Sequence, residues 1–341
     1  MTASRFKTED NVFDPPQVAA LAIQKSDDIS KHDDSDRLYT GLPLDFDDYF
    51  VMWRRQKVVG VLGDTSNYKT GLMTFIARNA AKHLKAEAGE VGIYATWEDP
   101  VEDYALADIA NASKISIASI YGGSVTQDER NEMIRASVKR AAFPLWLVGH
   151  SEYQNARRPR LTMTDIAQAL EYIVDAQKKT VKFVVLDYLQ RISYTDIQVR
   201  EARLGFVEIV NRVKDMALAF NCGVMIGSQI TRDIRERKNQ QPQMHDAQET
   251  SNFEQTCDGI ITVQMPVKHQ QRGTTFMTHA TGDITVTQRL LAVEVAKQKK
   301  GATGKVFLYD AMYETNSVSR YSGEDTDKPL PQHWTERSER E

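Results

Sequence analysis

The chain has 341 residues, a net charge of −4, 41% hydrophobic and 26% charged side chains. These proportions exclude a wholly disordered or fibrous chain, and the small negative charge leaves any attraction to nucleic acid to local basic patches. The sequence has no run of ~18 apolar residues and no secretory leader, so we expect a cytoplasmic protein without membrane contact. Cys222 and Cys257 stand in apolar segments and are expected to be buried free thiols.

The two ends of the chain differ in composition from its middle. Residues 1–37 are rich in acidic side chains and are predicted to form a flexible arm. Within this arm, the apolar side chains between Val18 and Ile23 favour a short helix that docks on a neighbouring subunit or on its own domain. Residues 321–341 are polar and are predicted to be a disordered tail. The folded domain is therefore expected at residues 38–320.

Short apolar runs alternate with helical patterns through this domain. Buried strands are predicted over residues 57–62, 91–97, 145–148, 182–187, 222–227 and 259–263. Helices are predicted over residues 72–84, 164–178 and 205–220. This alternation predicts an α/β fold with a mostly parallel sheet that is covered on both faces.

Period-2 patterns follow this alternation. They predict antiparallel strands at one edge of the sheet, over residues 284–287, 290–296 and 305–309. The segment 266–290 fits either a simple hairpin or an interaction arm.

A phosphate-binding loop is indicated directly after the first predicted strand. The candidates for nucleotide contact are Gly63, Asp64, Thr65, Ser66, Asn67, Tyr68, Lys69, Thr70 and Gly71. In such a loop the backbone N–H groups hold phosphates, the lysine reaches the terminal phosphates, and the threonine hydroxyl binds Mg²⁺. Glycine usually precedes the lysine, so we expect Tyr68 to strain the loop or to crowd the phosphates. Taken alone, the segment also fits an ordinary turn with a solvated lysine.

A single acid ends the predicted strand 182–187. Asp187 stands where ligands of open α/β sheets bind, and it is a candidate to hold Mg²⁺ through water. Many buried strands end in an aspartate that only caps a helix or forms a turn, and this alternative has equal weight when the residue is considered alone.

The stretches DYLQ at 187–190, SQ at 228–229 and EQTCD at 254–258 follow, in order and spacing, the motifs of DnaB-family replicative helicases. The chain resembles the motor domain of that family over about residues 38–320. The resemblance implies a RecA-like P-loop NTPase core, ATP and Mg²⁺ as cofactors, and a ring-forming, usually hexameric motor on single-stranded DNA. Full-length members also have a helical N-terminal domain for which this chain has no room, so we expect a reduced motor with replication or loader proteins as candidate partners.

The same resemblance assigns catalytic roles. Glu98 matches the glutamate that activates the attacking water, and Gln229, after Ser228, matches the glutamine that senses the terminal phosphate. Lys297 and Lys299 stand two apart at a strand end, so they leave the same face. The family usually has arginine at the second position, where it reaches the nucleotide of the neighbouring subunit. Lysine keeps the charge but loses bidentate geometry. Taken alone, Glu98 also fits a helix-capping acid, and Lys297 and Lys299 also fit a basic strand end exposed to solvent.

Polar and basic segments after two core strands indicate where DNA would bind. The candidate contacts are Arg191, Arg200, Arg203, Arg232, Arg235, Arg237, Lys238, Gln248 and Glu249. Cations of this kind follow a phosphate backbone with little sequence preference. Gln248 stands where the family has an arginine, which weakens the expected phosphate contact. For any one arginine, a solvated loop is the alternative.

Three functions are compatible with these motifs. The first is an ATP-hydrolysing ring that translocates on single-stranded DNA and unwinds duplex. The second is a nucleotide-switched DNA-binding scaffold, such as a loader, recombination or defence factor, and the departures at Tyr68, Gln248 and Lys299 favour it. The third is a KaiC-like signalling ATPase, which shares the expected fold but does not explain the DYLQ and EQTCD stretches.

Overall fold

The computed structural model describes residues 14–30, 36–64, 66–154, 161–197, 202–230, 250–278 and 282–324. Residue contacts divide the chain into two units, 1–37 and 38–341. The first unit contains helix α1, Pro15–Ser30, with Val18, Leu21 and Ile23 exposed. This helix begins earlier than predicted because the Asp14 carboxylate accepts a hydrogen bond of 2.8 Å from the Gln17 backbone and because prolines fit a first helical turn.

The second unit is built on a large sheet. Its strands are β1 (Val58–Gly63), β2 (Glu90–Thr96), β3 (Leu145–Val148), β4 (Thr180–Asp187), β5 (Gly223–Gln229), β6 (Gly259–Gln264), β9 (Leu290–Gln298), β10 (Val306–Met312) and β11 (Ser317–Arg320); β7 (Thr275–Thr278) and β8 (Gly282–Thr285) form a separate pair. The order in the large sheet is β11-β10-β9-β6-β1-β5-β4-β2-β3. Pairs among β1 to β6 are parallel, whereas β9, β10 and β11 are joined by antiparallel pairing. The predicted α/β class with antiparallel strands at one edge is confirmed.

Helices cover this sheet. They are α2 (Phe46–Tyr49), α3 (Lys69–Lys82), α4 (Val101–Ser113), α5 (Ile117–Tyr121), α6 (Gln127–Ala141), α7 (Met163–Glu171), α8 (Ala202–Ala219) and α9 (Thr250–Thr256). The three predicted helices correspond to α3, α7 and α8. Of the longer helices, α4 and α6 were not predicted. Helix α6 has one buried residue, Ala136, and therefore little apolar periodicity. A capping box between Thr126 and Glu129 begins this helix instead.

The core lies on both faces of the sheet. Along β1, Val59 and Val61 pack into one cluster, and Val58 and Leu62 pack into the other. Successive strand residues point to opposite faces, so a strand that is covered on both sides must be apolar throughout. This double burial explains the continuous apolar runs in the sequence. Both cysteines are buried and free, and burial raises the pKa of each thiol to about 12.

One strand prediction was wrong in its position. Residues 284–287 were expected at the edge of the large sheet, but β8 pairs with β7 in a separate antiparallel hairpin. Phe276 and Val286 are buried there in a small cluster with Leu290 and Leu308 of β9 and β10. The apolar side chains of the hairpin thus cover a face of the large sheet. The outermost strand on this side of the large sheet is β11. Of the two alternatives for segment 266–290, the described residues form a hairpin.

Among the described residues, no helix is long and apolar enough to cross a membrane.

Candidate nucleotide-binding site

The predicted nucleotide-binding residues meet at one edge of the sheet. Because β1, β2, β4 and β5 are parallel, their carboxyl ends lie along the same edge. Lys69, Glu98, Asp187 and Gln229 stand at or just beyond these four ends. Three of them, Lys69, Glu98 and Gln229, line one cavity of about 370 Å³ together with Thr70. This edge is where open α/β sheets bind ligands.

The backbone conformation at the position before Lys69 shows why phosphate-binding loops usually have glycine there. Tyr68 has φ 62° and ψ 21°, the left-handed conformation that glycine adopts at least cost. The Tyr68 hydroxyl lies 3.2 Å from both Asn316 Oδ1 and the Ser317 carbonyl oxygen. Its ring packs edge-on against Tyr313, with centroids 5.2 Å apart. These side-chain contacts with the turn after β10 therefore stabilise Tyr68 and offset the strain of its left-handed backbone conformation.

Two neighbours complete the loop. The side-chain amide oxygen of Asn67 accepts a hydrogen bond of 2.8 Å from the Met265 backbone, which ties the loop to the end of β6. A Cβ atom at Gly71 would lie 2.6 Å from the ring of Tyr68, closer than real Cβ contacts. The glycine thus makes room for the tyrosine, and the two residues are complementary in size.

Lys69 is buried at the base of the cavity. Burial lowers its pKa to about 8, although Asp187, Glu98 and Asp64 oppose the shift. Its ammonium nitrogen lies 4.6 Å from the ring centroid of Tyr188, a favourable cation–π distance. A phosphate bound beside this nitrogen would replace the lost hydration and favour the charged form.

Asp187 is 1% exposed and only one of its oxygens is hydrogen-bonded. The hydroxyls of Tyr94 and Tyr104 donate to Oδ2 over 2.7 and 3.1 Å. Oδ1 is buried without a hydrogen-bond partner. Burial raises the pKa of this carboxyl group, while Tyr94, Lys69 and Thr70 oppose the rise. A buried carboxylate oxygen without a donor, near a threonine hydroxyl, suits a hard cation such as Mg²⁺.

Glu98 is paired with a residue that was predicted to bind DNA. Arg191 Nη2 lies 3.3 Å from Glu98 Oε1, and Arg191 Nε donates to the Tyr188 hydroxyl over 3.1 Å. About half of each charged side chain is exposed, so the ion pair is accessible to solvent. Arg191 therefore contacts the predicted catalytic glutamate.

Gln190 connects the ends of β4 and β5. Its amide nitrogen donates to Ser228 Oγ over 2.9 Å, and its amide oxygen accepts from the Gln229 backbone over 3.1 Å. These two bonds set the backbone position of Gln229 relative to Asp187 on the adjacent strand. Gln190 belongs to the DYLQ stretch, but no role was predicted for it.

Lys297 and Lys299 lie near the amino-terminal ends of β1 and β6, away from the carboxyl ends that carry the predicted nucleotide site. Lys297 pairs in register with Ile260 near the start of β6, and the Lys299 backbone donates to the Asp258 carbonyl. Lys299 Nζ also lies 2.8 Å from Asp258 Oδ1, while Lys297 Nζ donates to the Glu254 carbonyl over 2.5 Å. A six-residue strand separates these ends from the phosphate-binding loop, a length of roughly 20 Å. Neither lysine lies beside the phosphate-binding loop of its own chain.

Several predicted site residues lie outside the described part of the chain. These are Thr65, Arg200, Arg232, Arg235, Arg237, Lys238, Gln248 and Glu249. Arg203 lies in α8. Conversely, the cavity is also lined by Tyr188, Lys268 and Tyr313, which the sequence analysis missed. Tyr188 follows Asp187 directly and was within reach of the motif, whereas short helical turns after β6 and β10 bring in Lys268 and Tyr313.

Known proteins share this fold. A probable plasmid replicative DNA helicase from Chlamydia muridarum is 23% identical over 256 residues, covering 74% of this chain and 53% of that protein. A solved structure described as an ATPase domain has a TM-score of 0.72 at 16% identity, covering 91% of this chain and 100% of the other. A DnaB-like replicative helicase, solved in a study of its interactions with primase, has a TM-score of 0.70 at 15% identity, covering 88% of this chain and 66% of the other.

The chain spans about half the length of the curated relative described above. The structural matches are below 20% identity and show the fold alone. The family model for the DnaB-like helicase C-terminal domain matches residues 38–317. The chain therefore belongs to the DnaB-like helicase C-terminal domain family.

Proposed function

We propose that this chain is an ATP-hydrolysing, Mg²⁺-dependent motor that acts on single-stranded DNA. The observation that carries the proposal is the convergence of Lys69, Glu98 and Gln229 on one cavity, with Asp187 at the strand end beside it. These side chains supply the phosphate-binding cation, the water-activating base, the phosphate-sensing amide and the metal-binding carboxylate that phosphoryl transfer requires.

The loop would hold the β- and γ-phosphates through its backbone N–H groups and Lys69. Thr70 and Oδ1 of Asp187 would hold Mg²⁺, the carboxylate acting through water. Among the described residues, no group of three or more His, Cys, Asp or Glu could hold a metal, so the remaining ligands would be phosphate oxygens and water. Bound Mg²⁺ would neutralise the charge that develops on the phosphates.

Glu98 would orient the attacking water and accept its proton. Its partner Arg191 lies within hydrogen-bonding distance of the carboxylate. Gln229 stands on the same edge, where its amide would contact the terminal phosphate and where Gln190 fixes its backbone. Hydrolysis would thus be sensed at the end of β5, directly before the segment that carries most of the predicted DNA contacts.

Lys297 and Lys299 support an oligomeric ring, which we propose to be hexameric. Since neither lies beside its own phosphate-binding loop, their catalytic role requires the nucleotide of a neighbouring copy. A cation supplied in trans contributes ~10³ to 10⁵ to phosphoryl transfer. Replication or loader proteins are candidate partners of such a ring, and the cytoplasm is its expected location.

A nucleotide-switched scaffold without processive unwinding is the second candidate. The position of Lys299 favours it, because the lysine is paired with the buried Asp258 of its own chain. A lysine held in this pair has to leave its carboxylate before it can reach a neighbouring nucleotide. Binding without turnover would then be the natural activity.

The test compares ATP hydrolysis by the wild-type chain, Lys69→Ala and Glu98→Gln, each with and without single-stranded DNA. The motor predicts DNA-stimulated turnover in the wild type, loss of ATP binding in Lys69→Ala, and retained binding without turnover in Glu98→Gln. Strand separation on a forked duplex would then separate a helicase from a DNA-stimulated ATPase. If the wild type binds ATP but turns over no faster than Glu98→Gln under any condition, the scaffold replaces the motor.

A further inference from the structure

A second charged cavity lies outside the nucleotide site. It has a volume of about 270 Å³ and is lined by residues of α3, α4 and α6 and the ends of these helices. We call it the basic cavity, defined by Arg78, Lys82, Asp108, Lys114, Lys139 and Arg140. Five of these six side chains are cationic. None of the residues that line the nucleotide cavity lines this one.

The one acid in the basic cavity is already engaged. Asp108 is 6% exposed and is flanked by two arginines. Arg78 Nε lies 3.3 Å from its Oδ1, and Arg140 Nε lies 2.8 Å from its Oδ2. One carboxylate cannot neutralise two guanidinium groups, and no ion pair is formed by Lys114 or Lys139 among the described residues. The cavity therefore carries an excess of positive charge.

Arg78, one of the residues that line this cavity, has a buried donor without an acceptor. The side chain of Arg78 is 7% exposed. Its Nη2 donates to the Asn316 carbonyl oxygen over 2.9 Å, but Nη1 is buried without a hydrogen-bond partner. A guanidinium group cannot lose its proton under ordinary conditions, so an unpaired nitrogen of this kind calls for an anion or another acceptor.

The neighbouring cations also repel one another. Lys82 is exposed at the surface, but partial desolvation lowers its pKa, and the charges of Arg78 and Lys114 lower it further. A bound anion would reverse this effect, because an opposite charge favours the protonated ammonium group. Two arginines and three lysines around one cavity are the groups that proteins use for phosphate oxygens.

We propose that the basic cavity binds a small phosphate-type anion. Its volume is below the ~300 Å³ at which pockets begin to accommodate drug-sized ligands, so it suits orthophosphate or pyrophosphate better than a nucleoside triphosphate. Orthophosphate is a product of nucleotide hydrolysis, and pyrophosphate is a product of nucleotide polymerisation. The two sources share one chemistry, a compact oxyanion with several acceptor oxygens.

The basic cavity is connected to the phosphate-binding loop. Arg78 donates to the backbone carbonyl of Asn316, and the Asn316 side chain lies within hydrogen-bonding distance of the Tyr68 hydroxyl. An anion on Arg78 would therefore contact the residue that anchors the turn to which Tyr68 is bound. Arg78 is thus two hydrogen bonds away from Tyr68 of the phosphate-binding loop.

The experiment uses the full chain with Lys69→Ala, which weakens phosphate binding at the loop. Orthophosphate and pyrophosphate are titrated separately by calorimetry at constant ionic strength. Lys82→Gln with Lys139→Gln, two exposed positions, is compared in this background with Lys178→Gln with Lys179→Gln, a matched loss of two charges outside the cavity. Circular dichroism checks that each variant is folded.

We expect saturable binding of at least one anion in the Lys69→Ala chain. Neutralising Lys82 and Lys139 should weaken it by at least about tenfold, since each removes a charge-assisted contact, and the control pair should leave it unchanged. Preference for one of the two anions identifies the source. Absence of saturable binding, or equal binding by the two double variants, overturns the proposal. No ATP turnover enters the measurement, so its result is independent of the proposed motor activity.

Discussion

The Tyr68 hydroxyl and Asn316 Oδ1 lie 3.2 Å apart, so a hydrogen bond joins the phosphate-binding loop to the turn between β10 and β11. The ring of Tyr68 also occupies the space that a Cβ atom at Gly71 would need. A tyrosine in the left-handed region and a glycine in the first turn of α3 thus stabilise one arrangement together, although each is unfavourable in isolation.

This pairing predicts a reversal in a double-mutant cycle. Gly71→Ala should lower the free energy of unfolding by about 1–3 kcal/mol, because the new methyl group meets the Tyr68 ring. In a Tyr68→Gly background the same substitution should be neutral or stabilising by up to about 1 kcal/mol, since alanine favours a helix. Urea denaturation of the four chains without nucleotide measures the coupling. Additive effects of the two substitutions would show that the residues do not share this space.

The lowered pKa of Lys69 predicts a pH dependence of nucleotide binding. Burial holds the pKa of this lysine at about 8 in the free protein, and bound phosphates should raise it. Above pH 8 binding must therefore take up a proton, and affinity should fall as pH rises. Calorimetry at pH 8.5 in buffers of different ionisation enthalpy should give a buffer-dependent heat of nucleotide binding in the wild type. A buffer-independent heat in the wild type contradicts the prediction.

The same pKa fixes the sign of its effect on stability. The folded-state value of about 8 is below the ordinary 10.5, so the unfolded chain binds more protons between these two values. The cost of burying the charged lysine is fully present below pH 8 and is relieved as pH rises toward 10.5. Relative to Lys69→Ala, the wild-type chain should gain stability over this interval, which chemical denaturation at several pH values measures.

The sequence predicted the parallel strands well because their signal is local. The apolar run before Asp187 corresponds to a strand buried on both faces, and this apolar pattern can be recognised without knowledge of the distant residues that the strand pairs with. The polar helix α6 was missed, since its position depends on a capping box and on packing against α4. The hairpin was misplaced because period-2 alternation does not indicate which strand will be the partner.

The part of the candidate site that lies at the ends of strands was predictable, because each of these strand ends carries a motif. Lys69, Glu98, Asp187 and Gln229 each follow a recognisable strand, and parallel pairing brings these strand ends to the same edge. The contact between Tyr68 and Asn316 joins residues 248 positions apart, so no local pattern predicts it. The sequence therefore could not show why a tyrosine is tolerated before Lys69.

The ion pair between Arg191 and Glu98 predicts an effect on basal hydrolysis. Arg191→Ala removes the guanidinium group that lies 3.3 Å from Glu98 Oε1. If this pair holds the carboxylate away from water, basal ATP hydrolysis without DNA should rise several-fold, and stimulation by single-stranded DNA should shrink. Steady-state turnover with and without DNA is the measurement, and Arg212→Ala, which removes an arginine from a different ion-pair group, is the control. A fall in basal turnover would show instead that Arg191 positions Glu98 for catalysis.

Substitutions of Asp258 and of its partner Lys299 should separate an effect on stability from an effect on catalysis. Burial alone would raise the pKa of this carboxyl group, but hydrogen bonds from Lys214, Lys299 and the Val58 backbone hold it below the ordinary value. Its stabilising contribution is therefore present at neutral pH and is lost as pH falls through the folded-state pKa. Asp258→Ala should lower the free energy of unfolding by about 1–3 kcal/mol at pH 7, because it leaves the buried Val58 N–H without this acceptor and removes the carboxylate that pairs with Lys214 and Lys299.

Lys299→Ala should behave differently. The lysine is half exposed and Lys214 continues to pair with Asp258, so the loss of stability should be below about 1 kcal/mol. ATP turnover should nevertheless fall by ~10³ or more if the lysine acts on a neighbouring nucleotide. Lys300→Ala, an exposed neighbour, should retain both properties. Turnover that survives in Lys299→Ala would assign this lysine to the Asp258 pair alone, and the cation that completes a neighbouring site would have to be Lys297 or another residue.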